Sequence, residues 1–291
     1  MSVVVKTNMQ SMIVQQNLNV ATKSLNKAIE RMTTGYKINV AADNAAGYSI
    51  ADAWKTKIGS IEVASQNASM GIDLLRTAED NYALIITHLQ RVRDLTEQAA
   101  NGTYGQDSLD AIKEEITARL DEIDRISGSV EYNDIKLMNN TGNIILQIGI
   151  ATSNSTITLS EDLFKKADTA TLTSSAVTGL TDPKYAQNKA DLISFASNSA
   201  KAGNQLTVID AIIKNIDKRI TKIGASQNRL ESVMDTLETQ TNNITSSLST
   251  LRDTDIAQES SHYIQAQILQ QASATLLATA NQAPSIALSL V

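Results

Sequence analysis

The chain is predicted to be mainly α, a long antiparallel helical bundle or coiled coil carrying a small β-hairpin region. Three observations carry that expectation. Only 3% of the 291 residues are aromatic, although Phe, Tyr and Trp usually supply much of a compact globular core. Both prolines, Pro183 and Pro284, lie beyond residue 180, as long uninterrupted helices require. The third observation is a heptad run. Alternate steps of 3 and 4 from Leu206 visit Ile209, Ile213, Ile216, Ile220, Ile223, Gln227, Leu230, Met234, Leu237, Thr241, Ile244, Leu248 and Leu251, polar only at Gln227 and Thr241. A helix over that run is roughly 70 Å long at about 1.5 Å per residue, so it must lie against other long helices.

The remaining elements follow in chain order. Val14, Leu18, Ala21, Leu25, Ala28 and Met32 alternate steps of 4 and 3, the a/d pattern of a coiled-coil seam. Residues 61–100 and 109–126 carry helical apolar stripes, and Asn101, Gly102, Gly105 and Asp107 turn the chain between them. With 206–251 they make three antiparallel helices. Residues 139–143 are a breaker cluster, after which Ile144, Leu146, Ile148 and Ile150 recur at the strand period of two. Ser153, Asn154 and Ser155 turn toward Ile157 and Leu159, giving a hairpin near 143–160. Residues 169–181, rich in Thr, Ser and Ala, are expected to be loose chain within a short variable tip near 165–203. At the carboxyl end Ile264, Ile268, Leu269, Ala272, Leu276, Leu277 and Ala280 recur at helical spacing, and residues 263–291 contain no Asp, Glu, Lys or Arg. Residues 7–22 lack them too. Both ends are therefore expected to be buried, against each other or against copies of the chain. The expected division is 1–43 plus 254–291 as paired terminal helices, and 44–253 as the bundle with its hairpin.

Charge and composition exclude several functions. A net charge of -6 with pI near 5.0 removes the electrostatic term that dominates nucleic-acid binding, and no polybasic stretch suits an anionic membrane. The tail 276–291 is interrupted by Thr279, Asn281, Gln282 and Pro284, short of the roughly 20 apolar residues of a membrane span, so no membrane anchor is expected. Asn8, Gln10, Gln15, Gln16 and Asn17 break the amino end, so no cleaved signal peptide is expected either. The absence of Cys rules out disulfides and thiol chemistry. His88 and His262 lack any HExxH partner, and Gly35, Gly47, Gly59 and Gly71 each stand alone, outside any phosphate loop. Trp54 reads as packing beside Ile50 and Ile58. Glu115 to Arg119 and Asp121 to Arg125 are acid-first i,i+4 pairs, the pattern of a solvated helix face. No enzyme, cofactor or metal is expected. Arg91-Val92-Arg93 is a compact basic and apolar patch that on spacing alone reads as a mixed helix face.

Several segments in the two halves of the chain resemble a known family. Ile29-Glu30-Arg31-Met32-Thr33-Thr34-Gly35-Tyr36-Lys37-Ile38-Asn39, with Ala42-Asp43-Asn44-Ala45-Ala46-Gly47 after it, is similar to the amino-terminal signature of bacterial flagellins. So are Leu89-Gln90-Arg91-Val92-Arg93-Asp94-Leu95 and the run from Glu115 to Arg125. Ala266-Gln267-Ile268-Leu269-Gln270-Gln271-Ala272, Ala280-Asn281-Gln282-Ala283-Pro284 and Ala287-Leu288-Ser289-Leu290 resemble the carboxyl signature. The likeness covers roughly 1–160 and 204–291, with a short middle, so it looks like a minimal flagellin lacking large outer domains. Asp43-Asn44 stands where the family usually shows two acids, and the chain closes on Leu290-Val291 where Leu-Leu with a basic or Gly residue is common.

The resemblance implies a structural subunit that polymerises into the bacterial flagellar filament for motility, secreted and extracellular. It implies terminal helices forming an inner tube, with polymerisation contacts at Val14, Leu18, Leu25, Met32, Ile264, Ile268, Leu269, Leu276 and Leu277. The implied partners are further copies of the chain, the flagellar type III export machinery, a secretion chaperone, filament cap proteins and hook-filament junction proteins. Toll-like receptor 5 of animal hosts is implied as well, through Gln90, Arg91, Leu95 and Glu115. The competing expectations are a hook-filament junction (hook-associated) protein and a soluble coiled-coil adhesin or binding module.

Overall fold

The computed structural model describes residues 7–139, 142–149, 155–176, 188–196 and 199–288. Its elements in order are α1 (Met9–Thr34), α2 (Ala45–Ala100), α3 (Gln106–Ser129), β1 (Glu131–Tyr132), β2 (Ile135–Lys136), β3 (Ile144–Gln147), β4 (Thr156–Leu159), a 3-10 turn (Glu161–Leu163), α4 (Thr169–Ala176), α5 (Lys189–Ala196), α6 (Ser199–Arg252) and α7 (Ile256–Leu288). The chain divides into two compact units, residues 1–59 with 240–291, and residues 60–239.

In the second unit, α2 buries Leu75, Ala78, Tyr82, Ile85, Leu89, Val92 and Leu95, spaced at 3 and 4. These meet Ile116, Leu120, Ile123 and Ile126 of α3 and Ile209, Ile212, Ile216 and Ile223 of α6 in one core. Burial at that period is what an amphipathic helix achieves by turning one face inward. Cross-helix pairs fix the directions. Arg93 reaches Asp210, Tyr82 meets Arg219 and Gln227 meets Glu79, so α2 and α6 run antiparallel. Gln227, one polar break in the heptad run, is half-buried and donates from Nε2 to Glu79 Oε2 at 2.9 Å. That bond offsets the cost of placing an amide on a seam. Tyr82 is fully buried, and its hydroxyl donates to the Leu163 carbonyl at 3.0 Å. Burial pushes its phenol above the ordinary range, and the nearby Arg219 cation opposes that shift.

The hairpin forms as its alternation predicts. β3 and β4 pair antiparallel with Ile144 opposite Leu159 and Leu146 opposite Ile157. Ile157 and Leu159 are buried in the core while Ile145 faces out; Ile150 lies outside the described residues. A second pair, β1 and β2, is joined by Asn133 and Asp134 at φ 47° and 63°, the left-handed positions of a primed hairpin turn. Two-residue strands leave no periodic signal. Residues 169–176, expected as loose chain, form α4 instead. Asp168 caps it by accepting from Thr171 N at 3.1 Å, and Thr169, Leu172 and Thr173 are buried. Threonines that return a hydroxyl to the backbone, as Thr173 does to Thr169 O at 2.7 Å, pack like small apolar residues, so Thr content was a poor guide. Residues 177–181 lie outside the described residues.

In the first unit, α1 starts on an Asn8 cap, whose side chain accepts from Ser11 N at 3.1 Å. It stops at Gly35, whose φ of 75° suits a residue without Cβ and whose N–H returns to Arg31 O at 2.8 Å. Asp255 opens α7 by accepting from Ala257 N and Gln258 N. α1 and α7 then pack along their length.

Candidate functional site

The pairing of α1 with α7 uses the residues that sequence periodicity marks on α1. Ala21 and Ala28 are buried, and Val14, Leu18, Leu25 and Met32 are half-buried. The answering face of α7 is Glu259, Tyr263, Ala266, Gln270, Ser273, Leu277 and Ala280, an unbroken alternation of 4 and 3. Several rungs are polar. Gln270 Nε2 donates to Thr22 Oγ1 at 3.2 Å, Ser11 Oγ to Asn281 Oδ1 at 2.7 Å, and Asn8 Nδ2 to the Ala280 carbonyl at 2.8 Å. Arg31 Nη1 lies 3.7 Å from buried Glu259.

Because Glu259, Ala266, Gln270 and Ser273 take much of the α7 side of the seam, four large apolar side chains of α7 remain outside. Ile264, Ile268, Leu269 and Leu276 are 53%, 59%, 52% and 57% exposed. Only Leu277 and Ala280 of the sequence-marked stripe on α7 face α1. Steps of four explain the split. The positions 264, 268, 272, 276 and 280 each advance about 40° around a 3.6-residue helix, so the two ends of that series point to different sides. On α1, Met9, Met12, Ile13, Val20 and Ile29 are likewise exposed. A groove of about 660 Å³ runs between the helices, bordered by Val20, Ala28, Arg31, Leu269 and Leu276.

The link after α1 holds the pair together. Tyr36 bridges Asp253, Lys37 N donates to Arg252 O at 2.7 Å, and Thr254 N to Gly35 O at 2.9 Å. The Arg252 guanidinium stacks 4.3 Å from the Tyr36 ring centre. Asp43 accepts from Lys27 Nζ at 2.7 Å and from the amides of Asn39 and Val40 at 3.0 and 3.3 Å. The Lys27 hydrogen bond, then the Asn39 amide, hold its carboxyl down at about 2. Asn44 caps α2 by accepting from Gly47 N at 2.9 Å. A neutral amide performs the capping that a second carboxylate would. None of these partners was legible beforehand, since Lys27 and Asp43 share no helical face.

A second surface lies on α2 and α3. Arg91 Nε and Nη2 donate to both oxygens of Glu115 at 2.9 and 3.2 Å, and Arg119 approaches Glu115 at 3.7 Å. The Arg91 hydrogen bond is the largest influence lowering the Glu115 carboxyl, and Glu115 raises the Arg91 guanidinium in return. Gln90 is exposed beside them. Leu95, expected to add apolar area to the same surface, is instead 2% exposed and sits in the core. Its place in register with Leu89 and Val92 was the available signal. Arg125 departs from expectation too: it pairs with Glu122 at 2.6 and 2.9 Å, while Asp121 accepts from Lys189 at 2.8 Å.

Long helices paired along seams, with large apolar side chains on the outside, define a coiled-coil structural subunit. The comparisons with known proteins then identify it. Residues 5–143 match the family model described as the bacterial flagellin N-terminal helical region, and residues 206–291 match the bacterial flagellin C-terminal helical region. The chain is 37% identical over 286 residues to a flagellin of Bacillus subtilis strain 168, covering 91% of this chain and 92% of that one. It is 31% identical over 289 residues to a flagellin of Halalkalibacterium halodurans, covering 99% of both. A flagellin of Salmonella muenchen is 37% identical over 252 residues, 81% of this chain but 49% of that one. The chain belongs to the bacterial flagellin family: it is a structural subunit of the flagellar filament and not an enzyme.

Proposed function

We propose that the outward faces of the terminal helices are the contacts through which copies of this chain join head to tail. In this reading residues 1–43 with 254–291 form the inner tube of the filament and 44–253 the outer one. Val14, Leu18, Leu25, Met32 and Leu277 act within each subunit by holding the helix pair. Ile264, Ile268, Leu269 and Leu276 act between subunits. The observation that carries it is the exposure of those four large side chains on a helix with no charge beyond Glu259. Each Leu or Ile buried on association contributes about 1.5–3 kcal/mol, and a heterologous contact that does not close yields an open helical polymer.

The family resemblance supports the remaining partners. They are the flagellar type III export machinery, a secretion chaperone over the uncharged carboxyl helix, filament cap proteins and hook-filament junction proteins, with the filament outside the cell. Gln90, Arg91 and Glu115 are the surface offered to Toll-like receptor 5, with Leu95 beneath them as support. The test of assembly is deletion of residues 254–291. The truncated chain is expected to remain helical and soluble and to form no filaments by negative-stain electron microscopy. Filaments of ordinary length from it would end the proposal.

A further inference from the structure

We propose that Met9 and Met12 form an oxidant-sensitive modification site on the terminal helix pair, where peroxides convert both thioethers to sulfoxides and block association between copies of the chain. The inference rests on the assembly surface proposed above and adds a means of regulating it.

The chain has no Cys, so its seven methionines carry all of its sulfur redox chemistry. They divide by environment. Among the described residues Met138 is fully buried in the core and Met32 and Met234 are half-buried, whereas Met9, Met12 and Met70 are 60%, 56% and 53% exposed, and of these three Met9 and Met12 lie on the terminal helix pair. Oxidation of Met follows access to the sulfur. On α1 these two lie three residues apart, with Ile13 one turn beyond Met9, so Met9, Met12 and Ile13 form one outward apolar patch.

The patch is held outward by the flanking polar side chains of the same turn. Asn8 and Ser11 tie that turn to the Ala280 carbonyl and to Asn281 of α7, at 2.8 and 2.7 Å. A hollow of about 370 Å³ bordered by Ile13, Val14 and Leu276 continues the apolar area. Two-electron oxidation proceeds by attack of the thioether sulfur on a peroxide oxygen. The S–O bond forms as the O–O bond breaks, the proton on the transferred oxygen passes to the departing hydroxide, and the peroxide is reduced to water. The product is polar and chiral where the patch was apolar. It places no strain on the seam, because both side chains point away from α7. Sulfoxide reductases reverse the change, so the block is reversible.

The test treats the purified full chain, as monomer, with hydrogen peroxide before seeding polymerisation. Peptide mass spectrometry is expected to find one added oxygen on Met9, Met12 and Met70, which is 53% exposed on α2, and none on Met138. The concentration needed for polymerisation is expected to rise about tenfold or more with helicity unchanged, and sulfoxide reductase with a dithiol is expected to restore it. Each variant is compared with its own untreated sample. Met9→Leu/Met12→Leu is expected to show no response to peroxide, while Met70→Leu responds as the parent does. Unimpaired polymerisation after full oxidation of both residues would overturn the proposal, as would an equal response from Met9→Leu/Met12→Leu. An untreated parent that forms no polymer would sink the assembly reading itself, and that is read before oxidant is added.

Discussion

Lys27 and Asp43, sixteen residues apart, meet at 2.7 Å, and the carboxylate that accepts from Lys27 also accepts the amides of Asn39 and Val40. One side chain thereby closes the link between α1 and α2.

That closure is expected to fail in acid. The Asp43 carboxyl lies at about 2 in the folded chain against an ordinary 3.8. A depressed carboxylate pKa contributes stability above the unfolded value, and that contribution is lost as pH falls through the folded one. With Lys27 half exposed, screening reduces the contribution to on the order of 1 kcal/mol. Thermal melts of the parent and Asp43→Asn should differ at about pH 5 and converge toward about pH 2. A gap independent of pH would remove Asp43 from this role.

Ile268→Asp and Ala28→Leu should separate the two faces of the terminal pair. Ile268 is exposed, so its replacement should leave monomer melting unchanged while abolishing filaments under the microscope. Ala28 is 2% exposed on the seam, where overpacking costs typically 1–3 kcal/mol, so its replacement should lower the melting temperature of the monomer. Equal effects of both on monomer stability would refute the division of faces.

Arg91→Ala and Leu95→Ala should fail differently in a receptor reporter assay. Arg91 bonds only at the surface, so its loss should leave circular dichroism and melting near the parent while weakening activation about fivefold or more. Leu95→Ala opens a core cavity and should cost about 2–5 kcal/mol. Full activity of Arg91→Ala would leave the Arg91–Glu115 pair as a purely structural contact.

Two helical glycines predict opposite signs. A Cβ at Gly59 meets nothing within 4 Å, so Gly59→Ala should stabilise by roughly 0.5–1 kcal/mol through helix propensity. At Gly47 it would come within 2.8 Å of Ile38 Cδ1 and 3.0 Å of the Asn44 amide. Gly47→Ala should displace the Asn44 cap and cost about 1 kcal/mol. Chemical denaturation of both variants measures this, and stabilisation by both would contradict it.

The helices were legible because their signal is local. Every heptad position marked from Leu206 to Leu237 is buried or half-buried on α6, and the marked seam of α1 is the one it uses. The hairpin at Ile144 and Leu159 was equally plain, since alternation at a period of two belongs to the strand itself. β1, β2 and α4 were not, because their few residues repeat too seldom to establish a period, and threonine can satisfy its own helix.

What the sequence determined by itself was the set of amphipathic elements and, through its end segments, the flagellin family. The tertiary structure alone decided which way each element is turned and which distant groups meet. Periodicity marks an apolar stripe but leaves open the rotation of a helix about its axis, which is set by what packs against it. On α7 the choice of Ala266 and Ser273 for the seam left Ile264 and Ile268 outside. Leu95 was drawn into the core from a surface motif, and Lys27 found Asp43. Such pairings depend on the free energy of the whole packed arrangement, which no window of local sequence contains.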